Sequence, residues 1–156
     1  MFIGTFENKI DRKGRVSVPA QFRRRLEGQS FNGIVAFPSH RDKAIEACGM
    51  DFVERLTDDM ESYNLFSDEH SALSTSLFSD AHELGFDIDG RIILPEELLS
   101  FAGITDRVAF VGKGKLFQIW EPEAAKRHKD SSRSSAQGLT LPQRGNARSG
   151  GNGASS

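Results

Sequence analysis

The chain of 156 residues contains one cysteine, one tryptophan, one tyrosine and five prolines. A single thiol, Cys48, cannot close an internal disulfide, so a disulfide-stapled scaffold is excluded and a reducing compartment suits it. Cys48 itself reads as a small buried or half-buried residue rather than a reactive one. No apolar run approaches the roughly 20 residues of a membrane span, and the opening residues lack the apolar stretch of a secretory signal. The expectation is a cytoplasmic protein with no membrane partner. His40, His70, His82 and His128 have no ligand spacing to one another or to Cys48, so no metal site is expected. A nucleophile elbow and a glycine-rich dinucleotide fingerprint are also missing. Gly112 to Lys115 lacks the spacing and the following hydroxyl of a phosphate loop, and reads as a hairpin turn. These absences leave no enzyme, no catalytic residue, no cofactor and no small-molecule substrate to expect.

In their place stands a repeat. A thirteen-residue pattern occurs as Asp11-Arg12-Lys13-Gly14-Arg15-Val16-Ser17-Val18-Pro19-Ala20-Gln21-Phe22-Arg23 and again as Asp87-Ile88-Asp89-Gly90-Arg91-Ile92-Ile93-Leu94-Pro95-Glu96-Glu97-Leu98-Leu99. Asp, Gly, Arg and Pro recur at one constant offset. A β-branched residue follows each Arg, and a large apolar residue stands three places after each Pro. The chain therefore holds two copies of one supersecondary unit.

The net charge of −2 conceals a segregated distribution. Up to residue 28, Lys9, Arg12, Lys13, Arg15, Arg23, Arg24 and Arg25 face only Glu7, Asp11 and Glu27. Between residues 51 and 97, Arg55 and Arg91 alone oppose thirteen Asp and Glu. From residue 98 onward, nine Lys and Arg face four acids. A near-neutral total does not exclude nucleic acid, because binding depends on the field at the contact surface.

Each copy suggests the same local script. Phe2 to Ile10 reads as a strand, and Asp11 to Gly14 as a turn, where Asp bonds nearby amides and Gly accepts positive φ. A strand at Val16 to Val18 leads to Pro19, which opens a helix with Phe22 and Leu26 on one face and Gly28 beyond its end. In the second copy Ile92-Ile93-Leu94 reads as a more fully buried strand than Val16 to Val18, and Pro95 opens a helix that Gly103 ends. The tripeptides Val35-Ala36-Phe37 and Val108-Ala109-Phe110 suggest matching later strands, the second continuing through a Gly-Lys-Gly turn to Trp120 as a hairpin. Between the copies, Ile45, Phe52, Val53, Leu56 and Met60 suit a helix broken or bent near Gly49, and Asp68 to Leu84 reads as another helix. A last helix is expected from Glu121-Pro122 to about Lys129. The Gly/Ser/Arg-rich residues 130–156 are too polar to offset chain entropy and are expected to be disordered.

A lone hairpin is marginal in water, and short four-strand units expose edges. Two such units can satisfy one another by interleaving hairpins, which predicts an α+β fold with a mainly β core. It would be a swapped-hairpin, barrel-like body of approximate two-fold symmetry with flanking helices. Each Arg stands just past its turn, where it can project outward. Guanidinium groups hold phosphate bidentately or read guanine in the major groove, and a two-stranded β element fits that groove. Double-stranded DNA is thus the expected partner, with Arg15, Lys13, Arg12, Lys9, Arg23, Arg24, Arg25 and Arg91 as candidate contacts. Asp11 with Gly14, and Asp87 with Gly90, shape the turns. For Arg15 and Arg91 alike, DNA contact and simple pairing across the turn with Asp11 or Asp87 stand side by side. An alternative is a protein-interaction or antitoxin-like assembly module whose DNA binding is incidental.

Over residues 1 to 128 the chain resembles the MraZ family of bacterial transcription factors. The likeness rests on Met1-Phe2-Ile3-Gly4 and on the two Asp-x-x-x-Arg signatures at Asp11 to Pro19 and Asp87 to Pro95. Asp68 to Leu84 is poorer in arginine than the family pattern. The resemblance implies two AbrB-like domains, at residues 5–52 and 83–126, forming a pseudo-two-fold double-split barrel around a helical connection at 53–82. It also implies a nucleoid-associated regulator that assembles into ring-shaped homo-oligomers, and the leading expectation is a sequence-specific DNA-binding repressor or regulator. Its targets would be direct repeats upstream of the cell-division and cell-wall gene cluster holding its own gene. Arg15 would then be the chief DNA contact, assisted by Asp11 and Lys13.

Overall fold

In the computed structural model, residues 1–60, 66–139 and 141 are described. Each half contributes strand, strand, short helix and a two-strand hairpin. The first half supplies β1 (Thr5–Lys9), β2 (Arg15–Ser17), α1 (Ala20–Arg25), β3 (Gly33–Pro38) and β4 (Ile45–Cys48). The helices α2 (Met50–Met60) and α3 (Asp68–Ser74) follow, with a π-helical turn at Thr75–Ser79. The second half repeats the plan as β5 (His82–Gly85), β6 (Arg91–Ile93), α4 (Glu96–Ala102), β7 (Arg107–Gly112) and β8 (Phe117–Trp120). Helix α5 (Pro122–Ala136) comes last.

Neither half keeps its first strand. β1 pairs antiparallel with β7, and β5 with β3, so one six-stranded sheet runs β1-β7-β8-β4-β3-β5. That order reads the same from either end when each strand is exchanged for its counterpart in the other half. The short strands β2 and β6 pair only with one another, in register Arg15↔Ile93, Val16↔Ile92 and Ser17↔Arg91. Val16 and Ile92 are counterparts in the repeat, so the approximate two-fold axis passes between them. The expected barrel is not closed by hydrogen bonds. The strands form two open sheets, because three-residue β2 and β6 exhaust their pairing on each other. Met1–Ala125 is one compact unit; residues from Lys126 form a second.

The core lies where the repeat places its apolar positions. Val16, Val18, Phe22, Ile92, Leu94 and Leu98 are all buried in one cluster. Phe22 is its aromatic hub, with ring centroids of Phe2, Phe6, Phe110 and Phe117 between 4.9 and 6.5 Å away. Offset and edge-on rings at such distances add to the burial energy.

Several sequence expectations change. Ile45–Cys48 is a strand rather than the start of a bent helix, and Gly49 is the boundary before α2. His82–Gly85 is also a strand, held by β3, whereas the sequence suggested helix up to Leu84. Ile93 points outward and is 57% exposed while Ile92 and Leu94 are buried, so β6 alternates instead of being buried throughout. The last helix starts at Pro122 as expected but continues past Lys129 to Ala136, so residues 130–136 are helical, not disordered. Residues 140 and 142–156 of that tail lie outside the described residues.

Candidate nucleic-acid interface

Both signatures fold into the same hydrogen-bonded turn. The Asp11 carboxylate accepts from the Lys13 and Arg15 amides through Oδ1, each at 2.9 Å, and from Arg15 Nε through Oδ2 at 2.6 Å. The Gly14 amide donates to the Asp11 carbonyl, and the Asp11 amide to the Arg15 carbonyl, both at 3.0 Å. The second turn repeats every bond. Asp87 Oδ1 accepts from the Asp89 and Arg91 amides at 2.9 Å, and Oδ2 accepts from Arg91 Nε at 2.8 Å. Gly14 and Gly90 sit at φ 84° and 76°, a region that L side chains rarely adopt. The spacing of the motif is thus a local requirement. Asp must lie four residues before Arg to satisfy the loop amides and the guanidinium together, and Gly must make the left-handed step between them.

The two turns also lock each other. The Leu94 amide donates to the Gly14 carbonyl at 2.9 Å, and the Val18 amide to the Gly90 carbonyl at 3.2 Å. Asn8 Nδ2 adds a bond to the Ser17 carbonyl at 2.7 Å. The hairpins are therefore braced against one another around the axis between Val16 and Ile92.

Their electrostatics differ although their backbones do not. Counterparts of Arg12 and Lys13 are Ile88 and Asp89. Arg15, with a side chain 35% exposed, engages one carboxylate through Nε. Arg91 engages Asp87 and also Asp89, whose Oδ2 lies 3.4 Å from Nη2. The backbone amide of Arg15, together with its side chain and the Lys13 amide, holds the Asp11 carboxyl below the usual carboxylate range against the opposing effect of desolvation. Arg91 and the Asp89 amide do the same for Asp87. Arg91 in turn is pushed above the ordinary arginine value, chiefly by its hydrogen bond to Asp87 and then by the charges of Asp87, Asp89 and Asp11. The first turn offers a guanidinium scarcely more exposed than that of the second, but with two exposed cations beside it. The second offers an arginine already spent on two acids, beneath an apolar tip.

The remaining candidates separate. Lys9 ends β1, leading directly into the first turn. Arg23 donates from Nη1 to the Val18 carbonyl. Its guanidinium lies so close over Gly90 that a Cβ there would meet Arg23 Nε at 2.6 Å. Arg23 thus clamps the second turn, a role the sequence did not suggest. Arg24 and Arg25 are exposed and line a groove with Met1, Ile3, Gln21 and Phe22. Among the described residues, no group of three or more His, Cys, Asp or Glu is arranged to hold a metal ion. Cys48 is fully buried, and desolvation, reinforced by the charge of Glu46, pushes its thiol up to about 12.

The comparisons place this geometry in a family. Residues 1–40 and 77–138 match the family model described as "MraZ protein, putative antitoxin-like". Those ranges contain both turns. A Rickettsia bellii (strain OSU 85-389) protein named Transcriptional regulator MraZ is 49% identical over 124 residues, covering 79% of this chain and 83% of that protein. Proteins of the same name are 44% identical in Pelagibacter ubique, over 87% of this chain and 88% of the relative, and 44% identical in Rickettsia akari, over 82% and 86%. With both Asp-x-x-x-Arg turns inside the matched ranges and identity at this level over most of its length, the chain belongs to the MraZ family.

Proposed function

We propose that this chain is a sequence-specific DNA-binding transcriptional regulator, acting as a repressor, and that the first hairpin is its reading element. The observation that carries this is the contrast between two superimposable turns, only one of which is cationic. Asp11 fixes Arg15 by its Nε edge and leaves the Nη groups to meet a phosphate or the O6/N7 edge of guanine. Arg12 and Lys13 at the tip, and Lys9 at the base, supply phosphate attachment without base information. Arg91 is the structural counterpart, fixing its turn by pairing with Asp87 and Asp89.

In this reading the exchange of β1 and β5 between halves is the swapped-hairpin arrangement of two AbrB-like domains, residues 5–52 and 83–126, joined by 53–82. Ring-shaped homo-oligomers would set several first hairpins against direct repeats upstream of the regulator's own cell-division and cell-wall gene cluster, in the cytoplasm and on the nucleoid. A single protomer makes few phosphate contacts, and avidity supplies the rest. Support comes from the basic tip, from the shared names of the relatives, and from the braced turns that keep Arg15 pre-positioned.

A tip graft tests the proposal. The double variant Arg12→Ile with Lys13→Asp gives the first turn the second turn's residues while keeping Asp11, Gly14 and Arg15. Gel-shift affinity for the upstream repeats is expected to fall at least a hundredfold with the thermal melt unchanged. Affinity equal to that of the parent chain would overturn the assignment.

A further inference from the structure

The ribbon of β2 and β6 buries one face and turns the other outward. Val16 and Ile92, paired across it, are buried in the core. Side chains alternate along a strand, so Arg15, Ser17, Arg91 and Ile93 share the opposite face. The register sets Ile93 directly across from Arg15, and Ser17 across from Arg91. Three of these four residues are polar. The fourth, Ile93, is an aliphatic side chain left 57% exposed beside the arginine of the cationic turn.

This place is not symmetric between the halves. The counterpart of Ile93 is Ser17. Ile93 comes from the second half yet lies against the first turn: a Cβ on Gly14 would stand 3.6 Å from Ile93 Cγ2, an ordinary van der Waals distance. At Gly90, the counterpart of Gly14, the nearest atoms belong to Arg23 instead. Residues directly opposite in an antiparallel ribbon have Cβ atoms about 5 Å apart, little more than the rise of about 3.4 Å between base pairs. Asp11 holds Arg15 by Nε, which keeps the guanidinium beside its own turn rather than at full stretch. A short side chain next to it can therefore meet the adjacent base pair. In the major groove the C5 methyl of thymine is the base-edge group that an aliphatic side chain matches. The donors and acceptors of the other edges would lose water against Ile93 and gain no bond.

We infer that Ile93 is a specificity-determining residue, packing on the methyl group of a thymine next to the base pair that Arg15 meets. The inference rests on the DNA-binding reading proposed above and deepens it. The first half supplies the hydrogen-bonding group, the second half supplies the apolar one, and the β2–β6 pairing fixes the distance between them. Strand β6 thus takes part in recognition although Arg91 is engaged by Asp87 and Asp89.

Gel-shift titration of the full chain on the upstream repeats, with each thymine in turn replaced by deoxyuracil, tests this. The replacement removes the C5 methyl and keeps the base-pairing bonds. The parent chain is expected to lose about fourfold in affinity at the sensitive thymine, the effect of burying one methyl group. Ile93→Ala should bind the thymine repeats more weakly by about the same factor and be indifferent to the replacement, whereas Ile93→Val should keep most of the discrimination. A parent chain indifferent to deoxyuracil at every position overturns the inference, and an Ile93→Ala chain that still discriminates does the same. So does an Ile93→Ala chain whose DNA affinity is intact while its sedimentation shifts, because the residue then faces protein. If the parent chain binds scrambled DNA as tightly as the repeats, the DNA reading itself fails and the inference with it. That result is distinct from specific binding without methyl sensitivity. The deoxyuracil series on the parent chain decides the matter even where a variant folds poorly.

Discussion

Asp11 and Asp87 each serve several donors at once, and their pKa values carry a stability consequence. Both carboxyls are lowered on folding, most strongly by the backbone amide of the arginine four residues on. A carboxyl depressed in this way adds stability above its unfolded value, near 4, and that stability is lost as pH falls through the folded value. The turns are therefore expected to hold from neutral pH down to roughly 4 and to loosen below it. Amide protection at Lys13, Arg15, Asp89 and Arg91, followed down that range, checks the sign; protection that rises on acidification would contradict it. Cys48 gives a second expectation at this scale. With its thiol raised to about 12, only about one molecule in ten thousand carries a thiolate at pH 8. Native chain should alkylate at least a hundredfold more slowly than unfolded chain, read by mass spectrometry. The sequence already marked Cys48 as buried. It did not mark Arg23, whose neighbours Arg24 and Arg25 are identical in type. The approach of Gly90 from the other half and the bond to the Val18 carbonyl distinguish it.

Among the elements, α1 shows how six residues (Ala20–Arg25) can organise a core. Such a helix is too short to be stable alone, and Phe22 secures it through four aromatic neighbours. Phe22→Ala is expected to cost about 3–5 kcal/mol of unfolding free energy, measurable by urea titration; a loss below about 1 kcal/mol would show that the hub is not central. The two turns and the starts of the helices that follow them were legible in the sequence because they are local. The repeat located both turns, Pro19 and Pro95 marked helix starts, and Gly103 closes α4 in the left-handed region at φ 66°. Strands β4 and β5 were not legible. Ile45 continues the apolar spacing of α2 across Gly49, and Leu84 takes its meaning from Ile34, fifty residues earlier in the chain. The shared tripeptide located both strands but not the faces their residues present. In β3, Ile34 and Ala36 face the main core and Val35 faces away, whereas in β7 Val108 and Phe110 face it and Ala109 faces away. Since side chains alternate along a strand, a one-residue slip puts Val35 and Val108 on opposite faces.

Across the whole molecule, duplication followed by divergence accounts for the arrangement. One sheet order, palindromic between halves, carries two turns of the same geometry and opposite polarity. The α+β class and the family were readable from the repeat, because its Asp, Gly, Arg and Pro satisfy local backbone needs; the split into two sheets was not. The difference between the two turns was only partly readable, since it includes Arg91 being occupied by two acids while Arg15 meets one. The most direct measurement is a salt series of binding to the upstream repeats by fluorescence anisotropy, comparing the parent chain with Arg15→Ala and Arg91→Ala. The account predicts a steep fall of log K with log salt for the parent. It predicts loss of specific binding for Arg15→Ala with a shallower slope, by about one if the lost contact is to phosphate, and a parent-like slope for Arg91→Ala once its fold is verified. Parent-like binding by Arg15→Ala, or equal loss in the two variants, would contradict the claim that Arg15, and not Arg91, reads DNA.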